Sequence, residues 1–151
     1  MNDVKIRDYN HSDRQKSLEV YDAAMPLAHP FLEDHVLKEH RQHAEEFLDY
    51  PGDKTFVLIV DGQLVGFSTF IHKKDMAGFF IDPNFQGRGL GKYLIEHIKS
   101  QKDEINLAVY KQNSKAIDFY QRNSFRKKNE DGKFDEPSNA YYLEMFWKAN
   151  S

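Results

Sequence analysis

The sequence has 151 residues, 40% hydrophobic and 30% charged, with 12 Phe, 8 Tyr and no Cys, a length that favours one domain (1–151) with an adequate core. The net charge of −3 gives no nucleic-acid footprint. The lack of Cys excludes thiol catalysis, disulfides and Cys-based zinc sites, and no stretch reads as a membrane span or a signal peptide.

In chain order, Val4 to Tyr9 alternates apolar and polar residues and reads as a strand. Ser12-Asp13-Arg14-Gln15 fits a capping box, Leu18, Tyr21 and Met25 continue a helical face, and Pro26 ends it. A loop with His29 and Phe31 follows. A second helix is expected from Glu33 to Leu48, with Val36, Leu37, Ala44, Phe47 and Leu48 inward, stopped by Pro51-Gly52. Thr55 to Val60 is a strand, Asp61-Gly62 signals a type I′ hairpin, and Leu64 to Ile71 is its partner. After a polar turn over 72–75, Met76 to Ile81 is the next strand, and its Phe79-Phe80-Ile81 suits burial on both faces. Asp82-Pro83-Asn84 ends it, and Gly87, Gly89 and Gly91 lead into a helix striped by Leu90, Leu94 and Ile98. Ile105 to Tyr110 is a strand. Ser114 caps a helix to Arg122 with Ile117, Phe119 and Tyr120 prominent. Phe125–Lys128 and Tyr141–Trp147 form a last strand pair, joined by a polar segment over 129–140. Hairpins dominate the first half and strand–helix–strand units the second, which should be parallel with right-handed crossovers. The expectation is an α/β fold: a central mixed sheet of six or seven strands flanked by about four helices.

The strand, glycine loop and helix over 79–92 organise the rest. Backbone N–H groups of a glycine loop at a helix N-terminus form an anion site, most naturally for phosphate. A Walker A loop needs Gly five residues before Gly91 and Ser or Thr after Lys92, but Gln86 and Tyr93 stand there. A Rossmann fingerprint needs a third Gly where Lys92 stands, near the start of a βαβ unit. What Gln86-Gly87-Arg88-Gly89-Leu90-Gly91 resembles is the pyrophosphate loop of the GNAT superfamily of N-acetyltransferases. The order of elements resembles the GNAT fold over essentially the whole chain. A second stretch, with Asn113, Ala116 and Tyr120 after the strand Leu107-Ala108-Val109-Tyr110, resembles the family's second motif. One departure is Asn123-Ser124-Phe125, where members often read Gly-Phe; Asn123 is the expected left-handed residue of that turn.

The resemblance implies acetyl-coenzyme A as co-substrate, no metal, and an amine acceptor of unknown identity. It implies cofactor contacts from Phe79, Phe80, Ile81, Gln86, Gly87, Arg88, Gly89, Leu90, Gly91, Lys92, Asn113 and Tyr120, with backbone N–H groups of the 79–81 strand polarising the thioester. Tyr120 on its own residues is a half-buried aromatic of an amphipathic helix; the resemblance makes it the general acid that protonates the leaving thiolate. For the base the resemblance points to Asp75, with His72, His29 and Glu33 as other candidates and a water chain as the alternative. His35, His40 and His43 lack metal-site spacing. Two loops, 26–33 and 134–139, are expected to wall the acceptor side with His29, Phe31, Glu33 and Phe134, their acidic residues suiting a cationic amine; the plainer reading is two solvated loops each held by a Phe. The expected protein is a cytoplasmic N-acetyltransferase, monomer or homodimer, binding neither nucleic acid nor membrane and working by direct attack in a ternary complex. The alternative is a non-catalytic acyl-coenzyme A sensor.

Overall fold

The computed structural model describes residues 3–50 and 52–150. The strands are β1 (Val4–Asp8), β2 (Lys54–Val60), β3 (Gln63–Phe70), β4 (Met76–Ile81), β5 (Glu104–Tyr110), β6 (Arg126–Lys127), β7 (Lys133–Asp135) and β8 (Ala140–Lys148). The helices are α1 (Arg14–Ala28), α2 (Asp34–Asp49), α3 (Leu90–Gln101) and α4 (Ser114–Arg122). No helix among the described residues is long and apolar enough to cross a membrane.

The expected single mixed sheet is replaced by two antiparallel ones. One runs β1-β2-β3-β4; the other runs β5-β8-β6, with β7 also paired to β8. β6 and β7 take successive stretches of the same β8 edge, through Phe146–Met145 and Tyr142–Ala140 respectively. The two sheets meet between β4 and β5. These strands run parallel, as a strand–helix–strand crossover requires, but one isolated bridge, Asp75 to Asn106, joins them. Beyond that bridge they splay apart.

Helices cover both faces. Leu94, Ile95 and Ile98 of α3 are fully buried against Phe56, Leu58, Val65, Ile105, Leu143 and Met145 of both sheets. On the other face Leu18, Tyr21 and Met25 of α1 and Val36 and Leu48 of α2 pack on Val57 and Phe67. β2 therefore reads as an unbroken apolar run, since alternate side chains enter opposite cores. The Asp61-Gly62 turn has positive φ at both residues (50° and 83°), as type I′ demands.

Local expectations are corrected at four places. The reciprocal cap lies two residues upstream of Ser12: Asn10 Oδ1 accepts the Ser12 N–H (3.0 Å) and the Asp13 carboxylate accepts the Asn10 N–H (2.9 Å), before a 3-10 turn at His11–Asp13. Pro26 does not end α1, which runs to Ala28. Asn113, not Ser114, caps α4, its Oδ1 accepting the Ala116 N–H at 3.2 Å. Ser124, not Asn123, takes the left-handed conformation (φ 71°), while Asn123 donates its side-chain amide to the Phe119 carbonyl.

Candidate active site

The splay between β4 and β5 opens a cleft of about 1160 Å³. Its lips are strand backbone. The Asp82 N–H donates to the Val65 carbonyl, so Val65–Asp82 is a hydrogen-bonded pair of the β3–β4 ladder. By alternation Phe80 also pairs with β3, whereas the N–H and C=O of Phe79 and Ile81 point toward β5. Across the gap the Lys111 N–H donates to the Tyr141 carbonyl, which directs the backbone of Ala108 and Tyr110 toward β4. Two sheet edges thus present polar groups to one slot. Phe79 and Phe80 are accordingly half-buried rather than sealed on both faces, a correction to the expectation for this strand.

At the open end lies the glycine loop. Gly87 and Gly89 have φ of 80° and 78°, and a Cβ at either would meet no protein atom within 4 Å. Left-handed backbone, not crowding inside the protein, requires glycine there, and the space beside it is open. Gly91 differs: its Cβ would lie 3.0 Å from the Phe119 ring, so it permits α3 to approach α4. Intrahelical bonding of α3 begins with the Tyr93 N–H on the Gly89 carbonyl (3.0 Å). The N–H groups of Leu90, Gly91 and Lys92 precede it and lie free of the helix ladder. Lys92, Lys115 and Arg122 line the same cleft. Left-handed glycines, helix N–H donors and flanking cations together fit a diphosphate. Gln86 is a brace: its Nε2 donates to the Ile81 carbonyl and its Oε1 accepts from Lys115, both at 3.1 Å. Arg88 lies outside the cleft lining and stacks over the Phe85 ring at 4.9 Å.

Tyr120 lines the cleft from α4, packed edge-on to Phe79 (6.2 Å) and against Phe125 (5.3 Å). Burial alone pushes its phenol well above the ordinary value of 10, so it holds its proton throughout the neutral range. Asn113 also lines the cleft. Its Oδ1 caps α4 while its Nδ2 sits 3.3 Å from His29 Nε2.

On the face of α1 and α2 the cleft ends in an aromatic cup. His29 and Phe31 line it, each meeting the Tyr110 ring edge-on, at 5.5 and 5.6 Å. His29 Nδ1 bonds the Met25 carbonyl (2.9 Å), which makes it the protonated nitrogen and leaves Nε2 to accept from Asn113. Desolvation holds His29 below its usual range.

The structure does not bring the remaining candidates here. Asp75 lies at the closed end of the splay, where its carboxylate is 3.5 Å from Asn106 Nδ2, and it does not line the cleft. Glu33 is the exposed residue before α2, 3.3 Å from His35. Phe134 is 48% exposed, and its ring meets Tyr141. His72 is likewise outside the lining. Conversely, His40, whose Nε2 is 2.6 Å from the Tyr110 hydroxyl, lines the cleft and was read only as a failed metal ligand. No sequence signal joins positions 40 and 110.

Residues 51–127 match the family described as "Acetyltransferase (GNAT) domain". The chain is 28% identical over 124 residues to the peptidyl-lysine N-acetyltransferase YjaB of Salmonella typhimurium, covering 82% of this chain and 83% of that one. It is 27% identical over 120 residues to the peptidyl-lysine N-acetyltransferase YiaC of Escherichia coli K12, covering 80% and 82%. Its fold superposes on the apo form of Escherichia coli YjaB with a TM-score of 0.82, at 24% identity, over 96% and 97% of the two chains. It also superposes on a PaiA N-acetyltransferase from Thermoplasma acidophilum, solved with coenzyme A, at a TM-score of 0.73 and 19% identity over 94% and 98%. The chain belongs to the GNAT acetyltransferase family, as an N-acetyltransferase whose acetyl donor is acetyl-coenzyme A.

Proposed function

We propose that this chain, working as one catalytic domain, acetylates the primary amine of a protein or peptide lysine by direct attack in a ternary complex. The observation that carries the reading is the slot between β4 and β5. It has open backbone donors on both lips, a glycine-rich anion cradle at its mouth and a protonated phenol, Tyr120, on its wall. The lysine assignment draws on the naming of the two relatives as peptidyl-lysine N-acetyltransferases.

Acetyl-coenzyme A, when bound, supplies an activated carbonyl on a thiol leaving group. The N–H groups of Phe79 and Ile81 are fixed before reaction and aim partial positive charge at the carbonyl oxygen, which suits the charge that develops there. Gly87, Gly89 and the first turn of α3 hold the diphosphate, with Lys92 and Lys115 beside it. Tyr120 keeps a proton at its hydroxyl until negative charge grows on sulfur. The burial that raises the phenol penalises a thiolate in the same place, so donor and acceptor stay matched. Asn113 ties the start of α4 to His29, which sets the mouth of the acceptor cup against the helix that carries Tyr120.

The test is a panel of lysine peptides and small amines incubated with acetyl-coenzyme A, read by thiol release and by mass spectrometry of the products. Peptides acetylated on the lysine side chain with turnover above the rate without enzyme are expected. Transfer confined to small non-peptide amines would overturn the lysine assignment. Tight binding of acetyl-coenzyme A without transfer to any amine would mark a sensor instead.

A further inference from the structure

Among the described residues no Asp or Glu lines the cleft. A carboxylate base, the ordinary expectation for deprotonating an amine, has no candidate there. The histidines that line the cleft are His29, His40 and His43. His29 is committed on both nitrogens, donating to Met25 and accepting from Asn113. His40 has an engagement of another kind: its Nε2 lies 2.6 Å from the hydroxyl of Tyr110, and both side chains line the cleft. Tyr110 is the last residue of β5, on the lip facing Phe79 and Ile81. Its ring sits in the core under α1 and α2, whereas Tyr120 sits in the core under α3. The two phenols therefore approach the splay from opposite faces of the sheet. That is the arrangement a displacement needs, with the nucleophile losing a proton on one side and the leaving group gaining one on the other.

We propose that Tyr110 takes the proton of the attacking amine and passes its own to His40, so that the pair serves as the general base of the transfer. The inference rests on the N-acetyltransferase reading above. As the amine nitrogen bonds the acetyl carbon and the carbon–sulfur bond breaks, one N–H proton moves to Tyr110 Oη. The phenol proton moves along the 2.6 Å hydrogen bond to His40 Nε2, and the Tyr120 proton moves to sulfur. His40 is left as imidazolium and Tyr120 as phenolate; the first gives a proton to solvent and the second recovers one before the next turnover. Tyr110 is the catalytic residue, and His40 acts through it.

The groups facing His40 are His29 from the turn after α1, Glu39 and His43 from its own helix, Tyr110 from β5 and Asp135 from β7. Burial contributes most and lowers the imidazole below 6.5; the two histidines add to this, while Asp135 and Glu39 oppose it. The net direction keeps Nε2 unprotonated and able to accept at neutral pH.

The test has two arms. Long-range proton–nitrogen spectra of labelled protein read the His40 tautomer without any acceptor present. The expected result is Nδ1–H with Nε2 bare, titrating below 6.5, and a shifted Nε2 signal in Tyr110→Phe. In kinetics, His40→Gln and Tyr110→Phe should each lower kcat by about 10²-fold, abolish the acid limb of the histidine in the pH profile and leave the KM for acetyl-coenzyme A unchanged. An Nε2–H tautomer, which would donate to the phenol, overturns the relay. So does wild-type kcat with an unmoved acid limb in either variant. The expected tautomer and kinetics on an amine other than lysine would keep the pair and overturn only the lysine assignment.

Discussion

At the scale of single residues, Tyr120 and Asn113, both named from the sequence, line the cleft. Both came from the resemblance to the family's second motif, whose residues lie close together in the chain, Asn113 capping α4 and Tyr120 on it; helix periodicity alone marked Tyr120 only as a half-buried aromatic. Tyr120→Phe should keep the packing with Phe79 and Phe125 and lower kcat by about 10²-fold, measured where chemistry limits the rate. Because burial raises this phenol, wild-type activity should show no alkaline loss from Tyr120 below its ordinary value near 10. Gly89→Asp would put a forked carboxylate at a left-handed position on the mouth of the anion cradle. Coenzyme A affinity by calorimetry should fall at least tenfold in a protein whose circular dichroism is unchanged. Asp75 and Arg88 came from the resemblance and Glu33 and Phe134 from the loops expected to wall the acceptor side, and neither source says which way a turn carries a side chain. Glu33→Gln should leave the KM for the acceptor where it is, since Glu33 faces solvent.

At the scale of elements, strand β4 was read to its true ends, because an apolar run between a polar turn and Asp-Pro leaves little freedom. Strand β7 was missed: three residues of Lys-Phe-Asp have no strand pattern, and pairing with β8 alone makes them one. The cap of α1 was misplaced for a similar reason. Asn10 and Asp13 make the better pair because Arg7 grips the Asp13 carboxylate with both guanidinium nitrogens, at 2.7 and 2.8 Å. That contact lowers the pKa of Asp13 below its usual value, with the Arg7 hydrogen bond the leading cause. A carboxylate lowered in the folded state adds stability above its unfolded value near 3.9, and that stability is lost as pH falls through the folded value. Asp13→Asn should lower stability at pH 7 by about 1–3 kcal/mol, with Arg7 being half in solvent, and the difference from wild type should shrink toward pH 3. Denaturant titrations across pH check both the size and the slope. Ser124 carries left-handed strain in an exposed turn, so Ser124→Gly should raise stability by about 0.5–1 kcal/mol without changing either KM.

At the scale of the whole molecule, the family and the α/β layering were legible, but the single sheet was not what formed. Strand–helix–strand patterning requires β4 and β5 to run parallel and says nothing about how far they stay paired. One bridge at Asp75–Asn106 closes one end, while opposed cores under α1–α2 and α3–α4 hold the rest open. The cleft is thus a consequence of tertiary packing, which also explains why His40 and Tyr110, seventy residues apart, gave no signal. The central claim is that this splay, and not another surface, receives the acetyl donor. A titration of the labelled protein with coenzyme A, followed through backbone amide signals, tests it directly. The account predicts large shifts at Phe79, Ile81, Gly87 and Gly89 through Lys92, and unmoved signals at Glu33 and Phe134. Shifts concentrated in the shallow groove between Asp22 and Arg41, with the β4 amides unmoved, would contradict it.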